Sequence, residues 1–294
     1  MKITVTGSLG NISKPLTEKL VAAGHTVTLI SSDPAKAAAI EALGATPAIG
    51  SVEDASFLQS AFTGAEAVYT MVPPNFKAAD WKASIGQTGA GYATAIRNAG
   101  IKHVVNLSSM GAHLPGGVGP VSGLYKVEHA MNALEDVNVL HLQPGFFYTN
   151  FYGNVDMIKH ANILGANYAG NDQLAMAAPA DIATVAAQAL INLDFTGKST
   201  RFVASAVHSN AEVAAILGKG IGKPSLPWVE FTDEEALAGM QQAGLPQEIA
   251  ANYVEMGTAV RSGKMFELFF KESAVVNGRV SLEDFAVEFA KSFS

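Results

Sequence analysis

The first twenty residues constrain this chain more than any other stretch. A β-branched run, Ile3-Thr4-Val5-Thr6, gives way to Gly7-Ser8-Leu9-Gly10, and then to a segment in which Ile12, Leu16 and Leu20 recur every four residues. A β-branched run, two glycines and then a helical period predict a strand, a tight turn and an amphipathic helix. Gly7 can take the positive φ of the turn, and Gly10 lets the backbone approach a ligand closely. The first amides of a helix have no partner within it and carry partial positive charge. The turn Gly7, Ser8, Leu9, Gly10, Asn11 and Ile12 is therefore suited to hold an anionic diphosphate. Ser13 stands where the full dinucleotide-binding pattern has its third glycine.

The same alternation continues through the first half. Runs near Ile3 to Thr6, Thr26 to Ile30, Thr46 to Ile49, Ala67 to Val72, His103 to Leu107 and Val139 to Leu142 read as strands, with helical segments between them. Consecutive βαβ units predict an α/β fold with a doubly wound parallel sheet, Rossmann-like in kind. After Pro144-Gly145 helical stretches dominate: Asp181 to Asn192, Asn210 to Gly218, Asp233 to Ala243, Gln247 to Val260 and Ser281 to Phe293. A smaller, mainly helical carboxyl-terminal lobe is expected, with Arg201 to Ala204 returning to the sheet. The expected division is 1–148 plus about 181–206 for the dinucleotide-binding domain, and about 149–180 plus 207–294 for the lobe that takes the substrate.

Composition removes several function classes. The 294 residues, 49% hydrophobic, are enough for a large core. A formal charge of -7 without Lys/Arg clusters argues against nucleic acid as a partner. With no cysteine there is neither a disulfide framework nor a thiolate metal site, and no metal is expected. No run approaches the roughly 20 apolar residues of a membrane span, and the opening apolar segment is too short for a signal peptide, so the expected setting is the cytoplasm. No HExxH, paired catalytic carboxylates or Gly-x-Ser-x-Gly elbow is present, which sets aside metal hydrolysis and serine acyl transfer.

The end of the second strand bears on which dinucleotide is bound. NAD enzymes place an Asp or Glu there to hold the ribose hydroxyls, whereas here Ile30 is followed by Ser31 and Ser32. Two hydroxyls, with Lys36 one helical turn on, can meet a 2'-phosphate, while Asp33 before Pro34 reads as a helix cap. NADP is the favoured cofactor and NAD the alternative.

Taken in order, Thr6-Gly7-Ser8-Leu9-Gly10-Asn11-Ile12, Ser32-Asp33-Pro34-Ala35-Lys36-Ala37, Gly50-Ser51-Val52-Glu53-Asp54, Val104-Val105-Asn106-Leu107-Ser108-Ser109, Lys126-Val127-Glu128 and Gln143-Pro144-Gly145-Phe146-Phe147-Tyr148-Thr149-Asn150-Phe151 resemble the NmrA-like branch of the atypical short-chain dehydrogenase/reductase family. That branch includes NADPH-dependent quinone and triphenylmethane-dye reductases and redox-sensing regulators. The resemblance implies that Ser51 and Val52 lie beside the adenine and that Met71, Val72 and Pro73 run along the adenine and ribose. It places Ser108, Ser109, Pro144, Phe146, Phe147 and Tyr148 near the nicotinamide. An Arg commonly stands where this chain has Ser32 or Gln143, and an Asp where it has Ser51.

Lys126 matches the family's lysine, which implies contact with the nicotinamide ribose or with the acceptor. Tyr-x-x-x-Lys, the usual proton-handling pair, is missing: Tyr125 and Lys126 are adjacent, about 100° apart on a helix, and Ser122 holds the position four before the lysine. Ser109, Tyr125 and Tyr148 are the other candidates for catalysis, and the Gly/Pro-rich segment Met110 to Pro120 is long enough to act as a lid. Phe146, Phe147, Tyr148, Phe151 and Tyr152 can line a slot for a flat acceptor. The expected activity is hydride transfer from NAD(P)H to a small hydrophobic acceptor such as a quinone, enone, aldehyde or dye, by a monomer or homodimer. The alternative is a non-catalytic NADP(H)-binding redox sensor.

Overall fold

The computed structural model describes residues 1–293. The first half alternates as its sequence predicts: β1 Lys2–Val5, α1 Ser13–Ala22, β2 Thr26–Ser31, α2 Ala37–Ala42, β3 Thr46–Ile49, α3 Ala55–Phe62, β4 Ala67–Thr70, α4 Trp81–Ala99, β5 His103–Leu107, α5 Val121–Asn132 and β6 Asn138–Pro144. The remainder is β7 Phe146–Phe147, α6 Val155–Ala161, β8 Leu164–Ala166, β9 Gln173–Ala177, α7 Pro179–Asn192, β10 Lys198–Val203, β11 Ala206–Ser209, α8 Asn210–Gly220, β12 Trp228–Glu230, α9 Asp233–Gln242, α10 Gln247–Arg261, α11 Glu267–Lys271 and α12 Leu282–Ala290.

Seven parallel strands form one sheet in the order β3-β2-β1-β4-β5-β6-β10. This is a doubly wound, Rossmann-like α/β fold. The inner strands β1, β4, β5 and β6 are buried on both faces, which is why they read as apolar runs rather than alternating ones. Tyr69 pairs with Val105 toward the α1 and α7 side, while Val68 pairs with Val104 toward α3, α4 and α5. The strand order reverses between β1 and β4, and open α/β sheets bind ligands in the crevice outside the carboxyl ends at such a point.

The helical remainder carries its own core, in which Phe151, Leu174, Leu217, Phe269 and Phe289 are buried. Two small sheets stitch it together, β11-β9-β7 and β12-β8. Asp181, at the start of α7, anchors the segment before α12: its Oδ2 accepts from Ser205 Oγ at 2.7 Å, Arg279 N at 3.0 Å and Val280 N at 3.1 Å. Arg261 donates to Asp233 Oδ1 at 2.9 Å, and Asn167 Nδ2 donates to the same oxygen at 2.9 Å, tying α9 and α10 to the β8 region. No helix among the described residues is long and apolar enough to cross a membrane.

One expectation changes. The segment 110–120 is not a free lid, because Met110, Ala112 and Val118 are buried in the lobe's core. Gly119, at φ 59°, comes so close to α10 that an added Cβ would lie 2.2 Å from Asn252 O. The second helix opens as a 3-10 turn, Pro34–Lys36, with the Asp33 side chain accepting from Ala35 N at 2.9 Å as the cap.

Candidate functional site

The turn after β1 is held by backbone geometry. Gly7 has φ 95° and Ser8 φ 54°, so two successive residues take the left-handed region and the chain reverses tightly. A Cβ on Gly7 would sit 2.4 Å from Ser13 Oγ and 2.9 Å from Met71 Cγ. Ser13 thus fills, from below, the space that a third glycine would leave. Ser8 N donates to Ile30 O at 3.0 Å, and Gly10 N to Gly7 O at 3.2 Å. The helix that follows has no side-chain cap and no acid in its first turn, whereas α3 and α4 are capped by Asp54 and Asp80. Gly10 and Asn11 are exposed there, Leu9 is half-buried and Ile12 is buried. A cradle closed to side chains, opening onto uncapped helix amides, fits a diphosphate.

At the end of β2 the two serines part company. Ser31 is buried and its hydroxyl is engaged: it accepts from Ser8 Oγ at 2.9 Å and from Asp33 N at 3.2 Å, and donates to Asp33 O at 3.3 Å. Ser32 and Lys36 are exposed and form the only part of the trio turned to solvent. Ser51 accepts from Glu53 N at 3.1 Å. Val52 lines a polar cavity of about 500 Å³ with Asn75, Asp80, Ser84, Gln87 and Thr88.

A second cavity, about 290 Å³, opens past the carboxyl ends of β4, β5 and β6. It gathers seven of the residues expected near the cofactor or acceptor: Met71, Val72, Pro73, Ser108, Ser109, Phe146 and Phe147. Its other walls were not visible in the sequence. Trp81 and Ile85 come from α4, Val121 and Leu124 from α5, Met256 and Val260 from α10, and Met265 and Phe266 from the turn after it. No ionisable side chain is among the lining residues. Met71 connects the two sites, since it touches the Gly7 turn and also lines this cavity.

Three expected catalytic side chains lie elsewhere. Tyr148 is fully buried, its hydroxyl donating to Val280 O at 3.2 Å and its ring stacked on Phe285 at 5.4 Å. Burial pushes its phenol well above the ordinary tyrosine range, with Asp181, Glu283 and Asp284 adding to the shift. The turn after β7 directs residues 146 and 147 to the cavity and Tyr148 and Phe151 into the lobe's core. Tyr125 packs its ring on His129, centroids 3.9 Å apart, and Lys126 is exposed with its stem against Gly86 of α4. Neither lines the cavity, because the α5 face that does carries Val121 and Leu124. Ser109 lines it, but its hydroxyl donates to Met110 O at 2.9 Å. Pro144 ends β6 buried, its carbonyl accepting from Met110 N at 3.0 Å.

Two buried polar groups behind the cavity escaped sequence reading. Glu128 Oε1 accepts from Ser108 Oγ at 2.5 Å and from Gln143 Nε2 at 2.8 Å. Burial pushes its carboxyl above the usual glutamate range, against those two bonds and the charge of His129. The signal was present: Glu128 falls at the helical spacing of Val121, Leu124 and Met131, an acid on the apolar face of α5. His141 on β6 is 2% exposed. Its Nδ1 accepts from Asn106 Nδ2 at 3.1 Å and its Nε2 donates to Asn132 Oδ1 at 3.0 Å. Thr70 Oγ1 donates to Asn106 Oδ1 at 2.9 Å and completes the chain. Burial, aided by Lys198 and His129, lowers the imidazole to about 4, so it is neutral at pH 7.

Comparison with known proteins agrees with this geometry. Residues 7–150 match the family described as NAD(P)H-binding, and the chain carries an NAD(P)H-binding domain there. It is similar to the NAD(P)H azoreductase of Xenophilus azovorans, 28% identical over 252 residues that cover 84% of this chain and 83% of that one. Its fold matches the NADPH-dependent quinone oxidoreductase of Escherichia coli crystallised with NADPH, with a TM-score of 0.82 and 21% identity over 98% of this chain and 99% of that one. The triphenylmethane reductase of Citrobacter sp. complexed with NADP(H) gives 0.77 and 20% over 98% and 99%. These findings are consistent with the NmrA-like resemblance read from the sequence.

Proposed function

We propose that this chain is an NAD(P)H-dependent reductase that passes hydride to a small, flat, hydrophobic acceptor such as a quinone, enone, aldehyde or dye. One observation carries the reading: Met71 touches the Gly7 turn on one side and walls the apolar cavity on the other. A dinucleotide whose diphosphate lies on residues 7–12 is thereby led toward Ser108, Phe146 and Phe147. Hydride transfer is the chemistry the bound nicotinamide supplies. The chain's part is to bind, to orient and to exclude water, and the apolar walls suit the last of these. Ser32 and Lys36 are the residues placed to favour a 2'-phosphate, which makes NADPH the preferred donor and NADH the weaker one. The protein works in the cytoplasm on a small-molecule acceptor, as a monomer or a homodimer.

A redox sensor is the second reading, favoured by the absence of any ionisable side chain from the cavity wall. The purified protein, given NADPH or NADH with a panel of quinones, carbonyls and dyes, is expected to show acceptor-dependent loss of dihydronicotinamide absorbance. Binding of both NADP and NADPH without turnover on any acceptor would instead support the sensor.

A further inference from the structure

A hydride acceptor such as a quinone also needs a proton, and the cavity wall offers no acid of its own. Ser108 is the lining residue whose side-chain hydroxyl is hydrogen-bonded to an acid. It is 3% exposed, forms part of the wall, and lies 2.5 Å from Glu128 Oε1 behind it. Glu128 is 8% exposed, and among the described residues no cation is in salt-bridge contact with it. Ser108, just past the end of β5, and Gln143 on β6 face it and are neutral; on its own helix His129 is the nearby titratable group. On α4, packed along α5, Lys82 is paired with Glu255 at 2.5 Å and Arg97 lies in the last turn. His141, two residues before Gln143 on β6, is neutral at pH 7.

We infer that Glu128 and Ser108 supply the reaction's proton, Glu128 handing one to Ser108 as Ser108 hands its own to the reduced acceptor. This rests on the reductase reading above. The two protonation states of Glu128 differ in where the serine hydrogen points. When the carboxylate is ionised, the Ser108 O–H donates to Oε1. When it is protonated, Oε1–H donates to Ser108 Oγ, and the serine hydrogen is free to turn into the cavity. As hydride reaches the acceptor its oxygen becomes anionic. The Ser108 O–H bond breaks as the acceptor's O–H forms, and the Glu128 O–H breaks as that of Ser108 re-forms. Glu128 is left as a carboxylate and regains a proton from water before the next turnover. Burial helps by keeping the acid form populated nearer to neutral pH. Glu128 is thus a positioning and proton-storing residue that acts through Ser108.

Glu128→Gln preserves shape and an accepting oxygen, and Ser108→Ala removes the conduit. Each is expected to lower kcat for a neutral quinone by about 10²-fold, the ordinary contribution of a positioned acid, with KM little changed. Wild-type kcat should fall as pH rises through the raised Glu128 titration, and the E128Q profile should be flat across that range. A cationic triphenylmethane dye accepts hydride at its central carbon without a proton, so its reduction should be unaffected by E128Q. Infrared titration of the cofactor-free protein should show a carboxyl band that E128Q lacks, with a midpoint above the ~4.3 of an exposed glutamate. Equal slowing of quinone and dye, an unchanged quinone rate, or an ordinary midpoint for that band would overturn the inference while leaving the reductase reading intact. Should the wild type reduce quinones but not dyes, the pH profile decides, a flat wild-type profile being contrary. If the wild type reduces no acceptor, it is the reductase reading that fails.

Discussion

The turn at residues 7–12 and the cavity beyond Met71 touch one another, yet they are built in different ways. The turn is made by neighbours in sequence: Gly7 and Ser8 in the left-handed region, Gly10 passing close beneath, and an uncapped helix behind. The cavity is assembled from the ends of β4, β5 and β6, two faces of α4 and α5, and a contribution from α10 more than a hundred residues away. Local backbone chemistry fixes where an anion sits, whereas long-range packing of interchangeable apolar side chains fixes what can sit beside it. Cofactor binding should therefore be brittle to single changes in the turn, and acceptor choice should be tunable by changes in the wall.

Gly7→Val gives the largest effect expected from that contrast. Its Cβ would meet Ser13 Oγ at 2.4 Å, on a backbone at φ 95°. Strain and overpacking of about 3 kcal/mol or more should weaken NADPH at least a hundredfold in an equilibrium titration, and circular dichroism reports whether the fold survives. Behind the cavity, His141 makes acid stability the next largest effect. Its imidazole is lowered to about 4 from 6.5, so its contribution is full above pH 6.5 and is lost as pH falls toward 4. At roughly 1.36 kcal/mol per unit this amounts to about 3 kcal/mol. Urea melts of wild type and His141→Gln at pH 7 and pH 4 should show that loss in the wild type only. Leu124→Trp fills the cavity from α5 and should reduce quinone kcat/KM about tenfold or more, leaving the NADPH dissociation constant unchanged; parallel loss of both would break the separation of the two regions. Lys36→Ala is the smallest. For an exposed lysine, about 1 kcal/mol is expected for NADPH and no change for NADH, so equal effects on both would remove the basis for the NADPH preference.

The same contrast explains what could be read in advance. Strands β1, β2 and β4 to β6 announce themselves because both faces of the sheet are buried there and apolar residues run consecutively. β7, β8 and β12 do not, at two or three residues each, since their pairing partners lie far along the chain. In the stretch Phe146 to Phe151 four of the six residues are aromatic, so nothing local distinguishes Phe146 and Phe147, which line the cavity, from Tyr148 and Phe151, which fill a core. Ser31 looked available for a phosphate because its tie to Ser8 bridges two separate turns. Glu128 was legible in principle, as a lone acid on an apolar helical face, but its partners past the end of β5 and on β6 were not.

The central claim is that the backbone of residues 7–12 holds a diphosphate and directs a dinucleotide past Met71. A crystal structure grown with excess NADPH tests it most directly. The account predicts diphosphate oxygens within hydrogen-bond distance of the amides at the start of α1, with the nicotinamide ring between Ser108 and Phe146. Cofactor density elsewhere, with the turn empty or filled by the protein's own side chains, would contradict it.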